Sequence, residues 1–189
     1  MKHKPIILVT GAPGVGKTTL VKNVAERIKG VNVAGFITVE QRGEKGRSRI
    51  VFVNLDGSKE VEFAVTGKVK GKKGRRVGKY NVDIDVFEEA ALEAIAFQAE
   101  YDLYIIDEIG PMEVMSKMFC ETAKMLLKNE KVAVLATVAK AGHGFIREVK
   151  RLPGIETIEI TAENKNRIED ELIMKFMEAL IKPESEEQK

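Results

Sequence analysis

Ile6-Ile7-Leu8-Val9-Thr10-Gly11-Ala12-Pro13-Gly14-Val15-Gly16-Lys17-Thr18-Thr19 is the stretch that decides the fold. Ile6 to Thr10 reads as a buried strand, and Thr18 to Lys29 carries helical spacing, so Gly11 to Lys17 is the turn between them. That turn satisfies G-x-x-x-x-G-K-[ST] at every fixed position. The glycines let the chain curl with its amides facing inward, at the positive end of the following helix. Such a curl is built to hold an oxygen-rich anion. Lys17 adds a full charge placed to bridge β- and γ-phosphates, and the Thr18 hydroxyl is a ligand for a phosphate-bound Mg²⁺. Thr19 is placed to touch the α-phosphate, and the cradle as a whole comprises Gly11, Ala12, Pro13, Gly14, Val15, Gly16, Lys17, Thr18 and Thr19.

Outward from this loop, apolar runs alternate with helical periodicity, the signature of an α/β fold with helices packed on a mainly parallel sheet. Further strands are expected at Val33–Val39, Leu103–Asp107, Lys131–Thr137 and Ile155–Ile160. Helices are expected at Ile84–Gln98, Val114–Lys128, Phe145–Arg151 and Asn164–Ile181. From about residue 43 to 79 the rhythm breaks. Ser48–Leu55 and Val61–Val65 flank Asp56-Gly57 as in an antiparallel hairpin, an insert or an extension of the sheet. One domain over residues 1–182 is expected, with a charged, aperiodic tail at 183–189.

Composition excludes several classes. The 189 residues are 44% hydrophobic and 32% charged, with 31 Lys+Arg against 29 Asp+Glu, which rules out wholesale disorder and a nucleic-acid coating protein. The single cysteine, Cys120, has no disulfide partner in the chain, and no apolar run approaches the ~20 residues of a membrane span. The start is basic, but Ile6–Val9 is too short for a secretory core, so a cytoplasmic protein is expected. A monomer is expected as well.

A phosphate loop does not say what attacks the phosphate. Leu103-Tyr104-Ile105-Ile106-Asp107-Glu108 answers that question. Asp107, closing an apolar strand, is placed to hold a water on the metal beside Thr18. Glu108, just past the strand, is placed to orient or deprotonate a water in line with the γ-phosphorus. The alternative for Glu108 is a solvated strand end.

A further positive charge at the transition state is worth ~10³ to 10⁵ in rate when an arginine supplies it. Arg42 and Arg47, near the end of the second strand, are the candidates, with an ordinary surface charge as the competing reading. Lys68, Lys70, Lys72, Lys73, Arg75, Arg76 and Lys79 form a basic, glycine-rich run that would close over triphosphate or touch RNA. A solvated loop is favoured over RNA contact because no aromatic platform interrupts the run before Tyr80. His3 and His143 form no metal pair, and Cys120 reads as core. Tyr80 and Phe145 are candidates for base stacking, although such rings more often pack. Three functions fit: a triphosphatase, a nucleotide or nucleoside kinase with the basic run as lid, and a nucleotide-switched binding module.

The run Asp107-Glu108-Ile109-Gly110 with Met112-Glu113, together with Gly11 to Thr19, resembles the small P-loop nucleoside-triphosphatases of thermophile type, relatives of the human cancer-related nucleoside triphosphatase. Gly35-Phe36-Ile37-Thr38, Val77-Gly78-Lys79-Tyr80 and Glu163-Asn164 are similar to other segments of that family. The resemblance implies a RecA-like P-loop NTPase core and slow, Mg²⁺-dependent hydrolysis of ATP, GTP and other triphosphates, CTP and UTP included. It implies that Lys17 and Thr18 bind phosphate and metal, that Asp107 supports the metal, and that Glu108 is the catalytic carboxylate. The chain departs from the family pattern at Ile37, Pro111 and Lys165, and at the hairpin entry Arg47-Ser48-Arg49.

Overall fold

The computed structural model describes residues 4–43, 47–67 and 74–181. One nine-stranded sheet runs in the order β5-β6-β4-β3-β2-β7-β8-β1-β9. Its parallel half consists of β1 (Ile6–Gly11), β2 (Val33–Arg42), β7 (Leu103–Ile109), β8 (Ala133–Val138) and β9 (Ile155–Ile160). These pair β2-β7-β8-β1-β9, each neighbour parallel. Two strands, β7 and β8, therefore lie between the first strand in sequence and the second. In such an open sheet the crevice forms beyond the carboxyl ends of the strands, where the connections diverge.

Alternation along the buried strands sends successive side chains to opposite faces. Ile7, Val9, Leu103, Ile105, Ala133 and Leu135 pack under α1 (Lys17–Arg27) and α5 (Lys165–Leu180). Leu8, Tyr104, Ile106, Val134 and Ala136 pack under α2 (Ile84–Ala94), α3 (Lys117–Leu127) and α4 (Phe145–Val149). Gly35 of β2 lies so close to β7 that a Cβ there would stand 1.9 Å from the Ile105 carbonyl oxygen, and its φ is +111°. Only glycine permits this approach.

The antiparallel half, β3 (Ser48–Asn54), β4 (Glu60–Thr66), β5 (Arg75–Val77) and β6 (Tyr80–Val82), extends the same sheet from β2. The expected hairpin is present as β3-β4, and Gly57 N–H donates to Asn54 O across its turn. The short strands β5 and β6 were not expected. Phe36 stacks on Phe52 at 4.6 Å between ring centroids, and Phe87 of α2 meets Phe36 edge-on at 6.0 Å, so one helix covers the junction of the two halves.

Three boundaries shift for identifiable reasons. The helix expected to Gln98 ends at Ala94 because the chain folds back onto Tyr104: the Gln98 N–H donates to the Tyr104 hydroxyl, which donates to Ala96 O. The helix expected from Val114 begins at Lys117. A 3-10 turn, Glu113–Met115, precedes it, and Ser116 caps α3 by accepting from the Phe119 N–H at 2.9 Å. The strand expected to end at Asp107 continues to Ile109, with its pairing to β8 slipping between Ile106 and Ile109. The tail at 183–189, His3 and positions 68–73 of the basic run lie outside the described residues.

Candidate active site

The glycine-rich loop leaves the carboxyl end of β1 and enters α1 through Gly16, whose left-handed φ of +108° a side chain would disfavour. Val15 N–H donates to Ala12 O to close the turn, while Val15 itself leans on the core beneath α1. Pro13, Gly14 and Thr19 face the open side. Lys17 is nearly buried, and its ammonium reaches Gly11 O at 3.4 Å.

Asp107 is fully buried beside the loop. Thr18 Oγ1 donates to its Oδ2 at 2.8 Å, Thr137 Oγ1 to its Oδ1 at 2.6 Å, and the Thr38 N–H to Oδ2 at 3.3 Å. Thus α1, β8 and β2 all aim a donor at one carboxylate on β7. Burial pushes the Asp107 carboxyl above the ordinary range, against the pull of the Thr137 and Thr18 hydroxyls, the Thr38 amide and Lys17. Glu108, the next residue, is joined to Asp107 by a cis peptide bond. Its Oε1 lies 3.9 Å from Lys17 Nζ. Burial raises its pKa too; Lys17 opposes that, Asp107 adds to it, and Lys150 opposes it from the far side.

Lys17, Thr18 and Glu108 line one open cleft of about 870 Å³, with Asp107 buried against Thr18. The phosphate loop forms one wall, and Glu108, Pro111, Ala139, Lys140 and Ala141 form the other. The volume suits a nucleotide-sized ligand. Lys150 donates to Ala139 O at 2.7 Å and Lys140 O at 3.0 Å, anchoring the second wall. Lys165, opening α5, has its ammonium beside Gly16, 3.6 Å from where a Cβ would stand.

A divalent cation fits this arrangement as one shared with substrate. Among the described residues, no group of three or more His, Cys, Asp or Glu side chains could hold a metal alone. Mg²⁺ is commonly held by one or two protein ligands together with substrate phosphates and water. Thr18 and Asp107, bonded to each other at the cradle's edge, form such a donor pair.

Lys17, Thr18, Asp107 and Glu108 are thus brought together as the sequence predicts. Arg42 and Arg47 are not. Arg42 ends β2 opposite Ser48, and Arg47 lines a separate hollow of about 310 Å³ with Ser48, Arg49 and Glu62. Neither lines the cleft. The expectation fails because β2 continues as a hairpin arm past the end of the parallel ladder, so proximity in sequence to the strand end carries Arg42 away. Tyr80 is bonded through its hydroxyl to Glu40 in the extension, and Phe145 packs on the core beneath α4, so neither ring lines the cleft. Cys120 is half-buried, its thiol pushed up to about 11 by burial and nearby Glu148 and Glu121. Sequence reasoning missed Thr137, although it is the one hydroxyl-bearing side chain in the run Ala133–Val138; it gave Lys140 and Lys150 no role, and it noted Lys165 only as a departure from the family pattern.

An anion cradle whose threonine shares a hydrogen bond with an aspartate near the carboxyl end of a parallel strand, here β7 with β8 between it and β1, defines the P-loop class of nucleotide-binding proteins. Comparison with known proteins narrows this further. The chain belongs to the NTPase family, whose pattern matches residues 6–173. It is 37% identical over 179 residues to the nucleoside-triphosphatase THEP1 of Aquifex aeolicus, spanning 88% of this chain and 96% of that protein. It is 38% identical over 175 residues to the nucleoside-triphosphatase THEP1 of Pyrococcus abyssi, spanning 91% and 92%. The crystal structure of the Aquifex aeolicus THEP1 superposes with a TM-score of 0.74 at 32% identity, over 93% of this chain and 99% of that one. The solution structure of a human cancer-related nucleoside triphosphatase also gives 0.74, at 30% identity, over 90% and 96%. No helix among the described residues is long and apolar enough to cross a membrane.

Proposed function

We propose that this chain hydrolyses the γ-phosphate of nucleoside triphosphates, ATP, GTP, CTP and UTP alike, to the diphosphate and inorganic phosphate with Mg²⁺. The observation that carries the reading is Glu108 in the cleft wall across from the phosphate loop, 3.9 Å from the loop lysine. A protein that only bound nucleotide would not need a carboxylate there. The loop amides and Lys17 take the β- and γ-phosphates. That recruitment draws the ammonium toward phosphate and leaves Glu108 facing the γ-phosphorus with a water, which it orients and whose proton it accepts as the P–O bond to the leaving diphosphate breaks. Asp107, held by Thr18 and Thr137, keeps the Thr18 hydroxyl turned toward the metal. When bound, Mg²⁺ neutralises charge on the β- and γ-phosphate oxygens. The remaining positive charge comes from Lys165, whose ammonium lies beside Gly16, rather than from Arg42 or Arg47; Lys140 in the cleft wall is paired with Glu159.

We place this activity in the cytoplasm, in a monomer built as one domain around the nine-stranded sheet, and without RNA as a partner. The test is phosphate release from each triphosphate with and without Mg²⁺, in the absence of any acceptor. Equal amounts of diphosphate and phosphate, formed only with the metal, support the reading. Release that requires a nucleoside or monophosphate, with the phosphate appearing on that acceptor, makes the chain a kinase and overturns it.

A further inference from the structure

Among the described residues, Glu113 is the one buried carboxylate that the hydrolytic scheme leaves unused. It opens the 3-10 turn after β7 and is only 5% exposed. Its carboxyl accepts from the backbone amides of Glu113 and Gly110. A Cβ on Gly110 would lie 2.8 Å from Glu113 Oε2, and 3.3 Å and 3.5 Å from Cγ and Cδ of Glu108. The two acids therefore meet over the one point where a side chain on Gly110 would begin. The turn carries the chain out of the strand that presents Glu108, and the Val114 N–H closes it onto Gly110 O.

The charges around Glu113 offer it no counter-ion. From β7, Asp107 and Glu108 both act on it as negative groups. From α2, Glu88 accepts the Ser116 hydroxyl at 2.6 Å, while Asp85 and Glu89 are exposed. From α3, Lys117 and Glu121 are exposed and Lys124 pairs with Glu148. Lys17 and Lys150 act on Glu108 instead. Burial, helped by Glu108 and Asp107, pushes the Glu113 carboxyl up to about 8, against the pull of the two amides.

We propose that Glu113 is a positioning residue for the hydrolytic carboxylate: its buried carboxyl grips the Gly110 amide and so fixes the strand exit from which Glu108 faces the cleft. The inference rests on the reading of Glu108 given above. Glu113 grips as a neutral acid at neutral pH. Its ionisation sets a third negative charge beside Glu108 and Asp107, which repels the Glu108 carboxylate from its place at the cleft and lowers turnover as pH rises.

The experiment compares kcat and KM of the wild type, Glu113→Gln, Glu113→Ala and Glu108→Gln from about pH 6 to about pH 10. Glu113→Ala removes the grip and is expected to lower kcat ~10-fold or more with KM changed less than ~3-fold. Glu113→Gln keeps an oxygen for the Gly110 amide but cannot ionise. It is expected to restore at least about a third of the wild-type kcat at neutral pH, and to lose the fall in kcat that the wild type shows near pH 8. A wild-type profile flat through that region, or a Gln variant that falls as the wild type does, overturns the proposal. If Glu113→Ala does not fold, by circular dichroism, the Gln profile decides alone. Full activity in Glu108→Gln would instead sink the hydrolytic reading, so the two failures are distinguishable.

Discussion

The two halves of the sheet treat charge in opposite ways. In the parallel half the inner strands β1, β7 and β8 are buried on both faces, and their polar side chains gather at the carboxyl ends: Asp107, Thr137 and the loop after β1. In the antiparallel half, charged side chains pair among themselves at the surface. Arg49 meets Gln41 and Glu62, and Lys79 and the Tyr80 hydroxyl both donate to Glu40. Such exposed pairs contribute little stability individually. What separates chemistry from decoration is therefore a residue's height along a parallel strand, because only at the carboxyl ends do three elements converge on one carboxylate.

The contrast can be broken at its strongest point first. Lys17→Ala removes the only full charge inside the cradle, and a loss of ~10³-fold or more in kcat/KM for ATP is expected by steady-state phosphate release. Thr137→Val leaves the fully buried Asp107 with a donor missing. A loss of ~10-fold in kcat and of about 1–3 kcal/mol in stability by urea denaturation is expected.

The halves should also respond oppositely to pH. The folded chain holds the Glu113 proton up to about 8, whereas the unfolded chain releases it near 4.5. The native state binds more protons between those values, so this half loses stability as pH rises through that window. Glu40, held low by the Tyr80 hydroxyl and then Lys79, stabilises the extension above the ordinary glutamate range and ceases to do so as pH falls below it. Melting temperatures of Glu113→Gln and Glu40→Gln across pH should separate the two trends: the first variant gains most at alkaline pH, the second loses most near neutrality. The smallest expected effect is that of Arg42→Ala and Arg47→Ala, each within about twofold of the wild-type kcat/KM. A tenfold loss in either would bring the antiparallel arm back into the mechanism.

Much of the parallel half was legible in the sequence. β1, β7 and β8 are continuous apolar runs, and the loop and acid pair lie within short stretches whose spacing encodes their geometry. The hairpin β3-β4 was legible from its alternation and Asp56-Gly57. The strands β5 and β6, three residues each, carry too little pattern to register, and they form only because β4 supplies a ladder. Arg42 and Arg47 were misplaced because the length of β2 beyond its parallel partner is decided by pairing with β3, a contact that local sequence does not reveal. Thr137 was missed, and Glu113 was noted only within the resemblance and given no role, for a related reason. A hydroxyl in a strand and a glutamate before a helix look unremarkable until the fold sets one against Asp107 and seals the other behind Glu108.

The most direct measurement is on Glu108→Gln: ATP affinity by calorimetry beside phosphate release under identical Mg²⁺. The account predicts affinity equal to or tighter than the wild type, since the Lys17 ammonium no longer has a carboxylate competing for it, with turnover reduced ~10²-fold or more. Wild-type turnover in this variant would contradict it.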